Sequence, residues 1–203
     1  RASFQPQHVA GAILCDIAAD TRAQLSADSP AHNFLKLLSG TPTVTRRNVD
    51  AIAGTSARIV DTRKTLPGLL LANNSPSAAV ANAIIVADFD GILIKENHII
   101  TAALRRAEAI ARSDVSIQTE VEALEQLAEA IDAGATLILL DNMNLVQMRQ
   151  AVGLTAGRAQ LEASGIKLKT ARDIAETGIN RISIGALTKD VRAVDLSLRH
   201  LKG

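Results

Sequence analysis

Hydrophobic residues follow two different spacings along this chain, and the spacing changes near residue 58. Between residues 31 and 53 the apolar positions recur every three to four residues, which predicts helices. The run Ser39-Gly40-Thr41-Pro42 predicts a break that divides this stretch into two helices. After residue 58, short β-branched runs alternate with longer amphipathic runs. The second part therefore predicts repeated strand–helix units.

Seven short apolar runs are predicted strands, and four amphipathic runs are predicted helices. The predicted strands are 58–62, 84–87, 91–95, 116–122, 136–140, 159–163 and 181–185. The predicted helices are 99–112, 123–133, a helix near 145–148 and one over 168–175. Connections of this length imply parallel strands. No glycine-rich turn follows an early strand, so a closed barrel is favoured over an open dinucleotide-binding sheet.

Composition narrows the classes of function. The formal net charge is +1, so the basic excess that nucleic acids select is absent, and three Phe with no Trp or Tyr leave little for base stacking. Cys15 is the single cysteine, which excludes an internal disulfide and favours a reducing compartment. No apolar run approaches the roughly 20 residues that span a bilayer. We therefore expect a cytoplasmic protein without nucleic-acid or membrane partners.

Polar and small residues stand where the predicted strands end. In a βα barrel the active site lies at the C-terminal ends of the strands, so these residues are expected to meet at one rim. The candidates are Thr62, Arg63, Lys64, Lys95, Glu120, Asp141, Ser164, Gly165 and Gly185.

The charged candidates suit a polyanionic substrate that is carried with a divalent metal. Arg63, Lys64 and Lys95 can pair with carboxylate and phosphate oxygens. Glu120 and Asp141 are hard oxygen ligands of the kind that Mg²⁺ takes, and they can instead bond sugar hydroxyls.

The small candidates suit a terminal phosphate. Backbone N–H groups at Ser164-Gly165 and at Gly185-Ala186 can hold phosphate oxygens. Each position also has an ordinary structural explanation: Ser164-Gly165 can be only a turn, and Asp141-Asn142 can cap the helix that begins near Asn144. Because five strands in succession end in compatible chemistry, an anion site at this rim is the favoured interpretation.

One nine-residue run carries a specific resemblance. Asp61-Thr62-Arg63-Lys64-Thr65-Leu66-Pro67-Gly68-Leu69 resembles the quinolinate phosphoribosyltransferase family, the decarboxylating nicotinate-nucleotide pyrophosphorylases. Five later runs resemble the same family in order and approximate spacing: Leu93-Ile94-Lys95-Glu96-Asn97-His98, Glu120-Val121-Glu122, Leu139-Leu140-Asp141-Asn142, Glu162-Ala163-Ser164-Gly165 and Ser183-Ile184-Gly185-Ala186-Leu187-Thr188.

The resemblance implies a domain arrangement. It predicts a TIM-like (β/α) barrel, here incomplete, with a remnant of an N-terminal α/β sandwich domain. Residues 1–30 would be the tail of that sandwich. The residue pattern itself predicts a strand over 8–17 and a polar connection over 18–29. Residues 31–57 would be linking helices, and residues 58–203 the catalytic barrel. A homodimer or a higher homo-oligomer is also implied.

The resemblance implies a reaction as well. Quinolinate and phosphoribosyl pyrophosphate would give nicotinate mononucleotide, pyrophosphate and CO₂ with Mg²⁺, as a step of NAD biosynthesis. By this analogy the pyridine dicarboxylate is held by Thr62, Arg63 and Lys95, and Lys64 contacts phosphoribosyl pyrophosphate.

The remaining implied roles concern the sugar phosphate. Glu120 and Asp141 would face the ribose hydroxyls and the metal. The 5′-phosphate would be seated by Ser164, Gly165 and Gly185. In this scheme Lys64, Glu120 and Asp141 carry the catalytic roles.

Three places depart from the family pattern. Residues 70–92 lack the glycine triplet and the Asn-His-Arg element that the family usually has, and Asp28-Ser29-Pro30 stands in place of a Glu-Arg-Thr-like run. Ile166-Lys167-Leu168 follow Ser164-Gly165 directly, in a loop shorter than that of the family. An alternative therefore stays open: a divergent or catalytically impaired homologue on the same barrel, either a molybdenum-associated relative or a non-catalytic binding protein.

Overall fold

The computed structural model describes residues 10–62, 83–84, 91–95, 100–111 and 115–199. In these ranges seven short strands form one sheet, and six helices accompany it. The strands are β1 Arg58–Val60, β2 Ala83–Ile84, β3 Ile92–Ile94, β4 Ile117–Val121, β5 Leu137–Leu140, β6 Gln160–Ala163 and β7 Arg181–Ser183. The helices are α1 Thr21–Ala51, α2 Ile100–Ile110, α3 Leu124–Asp132, α4 Leu145–Thr155, α5 Leu168–Ala175 and α6 Ala186–Lys189.

The strand order is β2-β1-β7-β6-β5-β4-β3, and every described pair is parallel. From β3 to β7 each strand lies beside its successor in the chain, with a helix between them. Strand β7 then returns beside β1, so the first and last described strands of the sequence are neighbours. This is the connectivity of a βα barrel, in which all strands end at one rim.

The two faces of the sheet differ in chemistry because successive side chains of a strand point to opposite sides. One face packs against the helices and is apolar; its buried members include Ile59, Ile94, Val121, Ile138, Leu140, Leu161, Ala163 and Ile182. The opposite face carries polar residues at the alternate positions, among them Gln118, Glu120 and Glu162. The burial of the apolar face holds the fold together, and the polar face remains for binding.

Helix α1 contradicts two predictions. The chain forms one helix of 31 residues where a break at 39–42 was predicted, and Pro30 and Pro42 lie inside it. The predicted connection 18–29 is also wrong, because Asp20 caps the helix: its Oδ1 accepts from the backbone N of Arg22 at 3.0 Å and of Ala23 at 3.2 Å. Packing of α1 on β1, α5 and α6 outweighs the local cost of the prolines.

The N-terminal strand prediction fails as well. Residues 10–17, the described part of the predicted strand 8–17, contain a turn and irregular chain. The predicted domain boundary between residues 30 and 31 falls inside α1. Within the described ranges, no helix combines the length and the apolar character that crossing a bilayer requires.

The C-terminal segment lies against α1 at Gly40. The backbone N of Val194 donates to the carbonyl of Lys36 at 2.9 Å, and a Cβ added at Gly40 would overlap the backbone oxygen of Arg192. We predict that Gly40→Ala lowers the free energy of unfolding by about 1–3 kcal/mol, because the backbone of the segment must move. Urea denaturation measures this.

Gly153 supplies the matched control, since it lies in helix α4 and a Cβ added there meets nothing within 4 Å. Gly153→Ala is expected to stabilise the protein by about 0.4–1 kcal/mol. An equal loss of stability in both variants would show that the Arg192 contact is not the cause.

Candidate functional site

The register of the sheet brings the predicted residues to one rim. Val121 pairs with Leu140, Leu140 with Ala163, and Ala163 with Ile182. The residues that follow these pairs therefore stand side by side at the C-terminal ends of β4 to β7. Strand period places the described candidates Thr62, Lys95, Glu120, Asp141, Ser164 and Gly185 on the polar face. Arg63 and Lys64 lie outside the described residues.

Lys95 and Glu120 form an ion pair between β3 and β4. Lys95 Nζ lies 3.0 Å from Glu120 Oε2 and 3.3 Å from Oε1. The lysine side chain is 59% exposed, whereas the glutamate side chain is 8% exposed. The carboxylate is thus set into the rim, and the ammonium group faces outward, where an incoming anion can reach it.

Asp141 and Ser164 are joined between β5 and β6. Ser164 Oγ donates to Asp141 Oδ1 at 2.8 Å, and Asn142 Nδ2 donates to Asp141 Oδ2 at 3.0 Å. Both carboxylate oxygens are oriented by neighbours, yet each keeps a lone pair for a ligand. The alternative in which Asp141-Asn142 caps the next helix is wrong, because Asn144 caps α4 through a complete capping box with Gln147.

The glycine positions are placed differently from one another. Gly165 has a φ of +73°, in the left-handed region that glycine adopts without strain, so the chain turns sharply after Ser164. Gly185 precedes α6 and lies close to β1: a Cβ added there would be 3.5 Å from Thr62 Oγ1 and 4.0 Å from Lys189 Cε. The structure therefore brings Thr62 and Gly185 together as one pair, and Ser164 and Asp141 form another pair along the rim.

Lys189 was missed in the sequence analysis. It ends helix α6 and is exposed, and its Cε lies beside Gly185. Among the described residues, Lys189 forms no ion pair. The available signal was its position one residue beyond the last family-like motif. An ammonium group here adds positive charge where a phosphate is expected.

Asp61 was also missed as a separate functional element. It follows β1 and is 4% exposed. Its Oδ1 accepts from the backbone N of Thr62 at 2.7 Å and from Thr188 Oγ1 at 3.1 Å. Burial raises the pKa of Asp61, and these two hydrogen bonds offset part of the effect.

A second buried carboxylate lies on the polar face of the sheet. Glu162 in β6 is 6% exposed, and Ser183 of β7, 4% exposed, donates a hydrogen bond to its Oε1. Glu162 stands two residues before Ser164, and its register partner Leu139 also pairs with Glu120.

The carboxylates suit a metal that also binds its substrate. Glu120 and Asp141 come from neighbouring strands, and the described ranges contain no group of three or more His, Cys, Asp or Glu that could enclose an ion. Mg²⁺ commonly takes one or two carboxylates together with water and substrate phosphates. The donor set therefore fits Mg²⁺ held jointly with a pyrophosphate.

Two cavities lie at the other ends of the strands. Their volumes are about 290 and 400 Å³, and Thr136 and Gln160, at the N-terminal ends of β5 and β6, line both. Neither is lined by a predicted site residue. The paired charges at the opposite rim, rather than these cavities, have the chemistry for a charged substrate.

Comparison with known proteins gives a consistent result. Residues 42–199 match the family described as quinolinate phosphoribosyl transferase, C-terminal domain. The probable nicotinate-nucleotide pyrophosphorylase (carboxylating) of Bacillus subtilis is 36% identical over 195 residues, which are 93% of this chain and 68% of that protein. The Mycobacterium leprae nicotinate-nucleotide pyrophosphorylase (carboxylating) is 37% identical over 199 residues, with 93% and 69% covered.

Solved structures agree with the fold. NadC from Streptococcus pyogenes superposes with a TM-score of 0.89 at 32% identity, covering 98% of this chain and 75% of that chain. The nicotinate-nucleotide pyrophosphorylase from Francisella tularensis gives a TM-score of 0.81 at 37% identity, with 87% and 65% covered. The predicted TIM-like barrel is therefore confirmed.

Proposed function

Because the chain belongs to the quinolinate phosphoribosyltransferase family, we propose that it transfers the phosphoribosyl group of phosphoribosyl pyrophosphate to quinolinate. Nicotinate mononucleotide, pyrophosphate and CO₂ are the products, and the reaction supplies NAD biosynthesis. The observation that carries the proposal is the rim itself, where the Lys95–Glu120 ion pair, the Asp141–Ser164 hydrogen bond and the glycines Gly165 and Gly185 lie at the C-terminal ends of parallel strands. None of the comparisons favours the alternative of a divergent or catalytically impaired homologue.

The pyridine dicarboxylate binds at the β1 and β3 ends of the rim. Lys95 holds a ring carboxylate, because its ammonium is exposed and a doubly charged substrate can compete with Glu120 for it. Thr62, after the end of β1, offers a hydroxyl that is buried and makes no hydrogen bond to a described residue. Arg63, which follows it, supplies a second cation in this proposal.

The ribose lies over β4 and β5. Its C1 develops positive charge as the bond to the pyrophosphate oxygen breaks, and Glu120 and Asp141 stabilise that charge electrostatically. Ser164 and Asn142 hold the Asp141 carboxylate in place, so little reorganisation is needed during the reaction.

The bonds balance without a protein nucleophile. The ring nitrogen of quinolinate forms the new bond to C1, and pyrophosphate leaves with the electron pair of the C1–O bond. The positively charged ring then accepts the electrons of the C–CO₂⁻ bond, and a proton replaces CO₂ on the ring. The protein's residues position the reactants and neutralise charge in this scheme.

We propose Mg²⁺ as the cofactor. Glu120 and Asp141 would hold it with the pyrophosphate, where it neutralises the charge of the leaving group. Lys64 contacts phosphoribosyl pyrophosphate in the same proposal. Removal of Mg²⁺ by a chelator should abolish turnover and leave the folded state unchanged.

The 5′-phosphate is placed at the β6 and β7 ends, near Ser164, Gly165 and Gly185. Lys189 adds a positive charge there. We therefore predict that Lys189→Gln raises KM for phosphoribosyl pyrophosphate about five- to tenfold, because the variant loses a charge-assisted hydrogen bond that solvent screening weakens. Steady-state kinetics at saturating quinolinate measures this. Arg149→Gln, an exposed residue of α4, removes the same charge away from the rim and should leave KM unchanged. A similar rise in both variants would show a general charge effect instead.

A homodimer is the proposed assembly. Exposed apolar side chains concentrate in and before the first half of α1, namely Ile13, Ile17, Leu25 and Phe34. Such surface is unusual when it faces water alone and is typical of an interface. Light scattering would measure the mass in solution, and a monomer at micromolar concentration would contradict the proposal.

The reaction is tested with the wild-type chain, quinolinate, phosphoribosyl pyrophosphate and Mg²⁺. We expect nicotinate mononucleotide and pyrophosphate to form in equal amounts, and neither to form when any one component is omitted. Absence of both products, together with absence of phosphoribosyl pyrophosphate binding by calorimetry, would overturn the proposed function.

A further inference from the structure

A buried hydrogen bond joins the end of β1 to helix α6, which contribute to different halves of the proposed site. Asp61 follows β1 and is 4% exposed, and Thr188 lies in α6, after β7, and is fully buried. Thr188 Oγ1 lies 3.1 Å from Asp61 Oδ1 and 3.4 Å from the carbonyl oxygen of Thr62. The same Asp61 oxygen accepts from the backbone N of Thr62 at 2.7 Å. One carboxylate oxygen thus contacts both the backbone of Thr62 and helix α6.

This contact extends the pairing of β1 and β7 beyond the sheet. Val60 pairs with Ser183, and the backbone N of Ile184 donates to the carbonyl of Val60 at 3.2 Å. The Asp61–Thr188 bond follows directly, and Gly185 approaches Thr62. Asp61 and Thr62 are therefore held against the turn after β7 at the level of the rim.

A carboxylate is a costly group to bury, and an apolar side chain of similar size would fill the space with less desolvation. A carboxylate at this position accepts directional hydrogen bonds from two groups, the backbone N of Thr62 and the hydroxyl of Thr188. The benefit of Asp61 therefore lies in fixing relative position rather than in filling volume.

We propose that Asp61 and Thr188 are positioning residues that set the distance between Thr62, after β1, and the phosphate-binding turn after β7. The inference rests on the proposed function. With the ring contacting Thr62 and the phosphate anchored at Gly185, the pair aligns the ring nitrogen with C1 of the ribose. Misplacement of reacting atoms by about 1 Å can lower the rate about 100-fold. A small displacement of Thr62 relative to Gly185 would therefore lower the rate strongly.

Thr188→Val is the test variant, because it keeps the volume of a fully buried side chain and removes the donor. We expect kcat to fall about tenfold, whereas KM for each substrate stays within about threefold, since alignment is lost and the individual contacts remain. Thr188→Ser restores a hydroxyl and should recover most of kcat.

Thr155→Val is the matched control. Thr155 is also buried, and its Oγ1 donates to the carbonyl of Ala151 at 2.7 Å within α4, away from the rim. It should lose stability without losing kcat. A Thr188→Val enzyme with wild-type kcat, or a Thr188→Ser enzyme as impaired as Thr188→Val, would overturn the proposal.

Hydrogen exchange separates this proposal from the proposed function. In substrate-free Thr188→Val the amide of Thr62 should exchange about tenfold faster than in wild type, since its acceptor is no longer held. If the wild type forms no nicotinate mononucleotide, the proposed function fails, and exchange alone decides the role of the pair. Unchanged exchange at Thr62 would then overturn it.

Discussion

Asp141→Asn is expected to lower kcat/KM for phosphoribosyl pyrophosphate by about 100-fold, the scale of removing one preorganised electrostatic group from a transition state. The amide keeps the size of the carboxylate and one acceptor oxygen, to which Ser164 can still donate, so the variant removes the charge together with the hydrogen bond from Asn142. If Asp141 also holds Mg²⁺, the concentration of Mg²⁺ that gives half-maximal rate rises as well. Initial rates across a grid of both concentrations measure both effects.

Asp132→Asn is the control for this substitution. Asp132 ends α3, its side chain is 77% exposed, and its Oδ1 lies 3.5 Å from Arg158. The same chemical change is made away from the rim and should leave kcat/KM unaltered. Comparable losses in the two variants would contradict a special role for Asp141.

Lys95→Met is expected to raise KM for quinolinate by about 10- to 100-fold, the range for one charge-assisted hydrogen bond. KM for phosphoribosyl pyrophosphate should change far less, because Lys95 belongs to the ring half of the proposed site. The methionine keeps the length of the apolar stem and removes the ammonium group. The measurement is a pair of saturation curves, each with the other substrate in excess.

Lys36→Met is the corresponding control. Lys36 also forms an ion pair, with Nζ 3.8 Å from Asp195, but it lies on α1. This variant should retain the KM of wild type for quinolinate. Equal increases in both KM values for Lys95→Met would show that Lys95 supports the whole rim through Glu120 rather than binding the ring.

The barrel was predictable because its strands are buried and its helices are amphipathic. The predicted strand 136–140 is observed as Leu137–Leu140, and the predicted helix 123–133 as Leu124–Asp132. Differences of one or two residues arise because strand ends are set by hydrogen bonds to neighbours, which a local pattern does not contain. Of the predicted strand 84–87, only Ile84 is described, and it belongs to β2 Ala83–Ile84.

Helix α1 was not predictable from local signals. Pro42 and Gly40 together indicate a break, and tertiary packing overrides it. Gly40 is required by the approach of the C-terminal segment, which is about 150 residues away in sequence. The Asp20 cap has a local signal in the sequence, because an aspartate just before the first helical turn is a typical N-cap.

The candidate site was predictable to the extent that it depends on strand ends. Lys95, Glu120, Asp141 and Ser164 were found because parallel strands deliver their last residues to one rim, and the structure brings them together in pairs. Asp61 and Glu162 were missed because their partners, Thr188 and Ser183, lie far along the chain. Contacts of that kind depend on the register between strands.

The separation of the two sheet faces indicates where substitutions could change the acceptor substrate of the protein. Positions such as Leu93, Gln118 and Leu139 share the polar face with Glu120, whereas stability comes from the alternate residues packed against the helices. Leu93 and Gln118 are half-buried, so their side chains can be exchanged with little loss of the apolar burial that maintains the barrel, whereas Leu139 is buried and admits only apolar replacements of similar size. A library confined to them would search for new acceptor rings while leaving the scaffold intact.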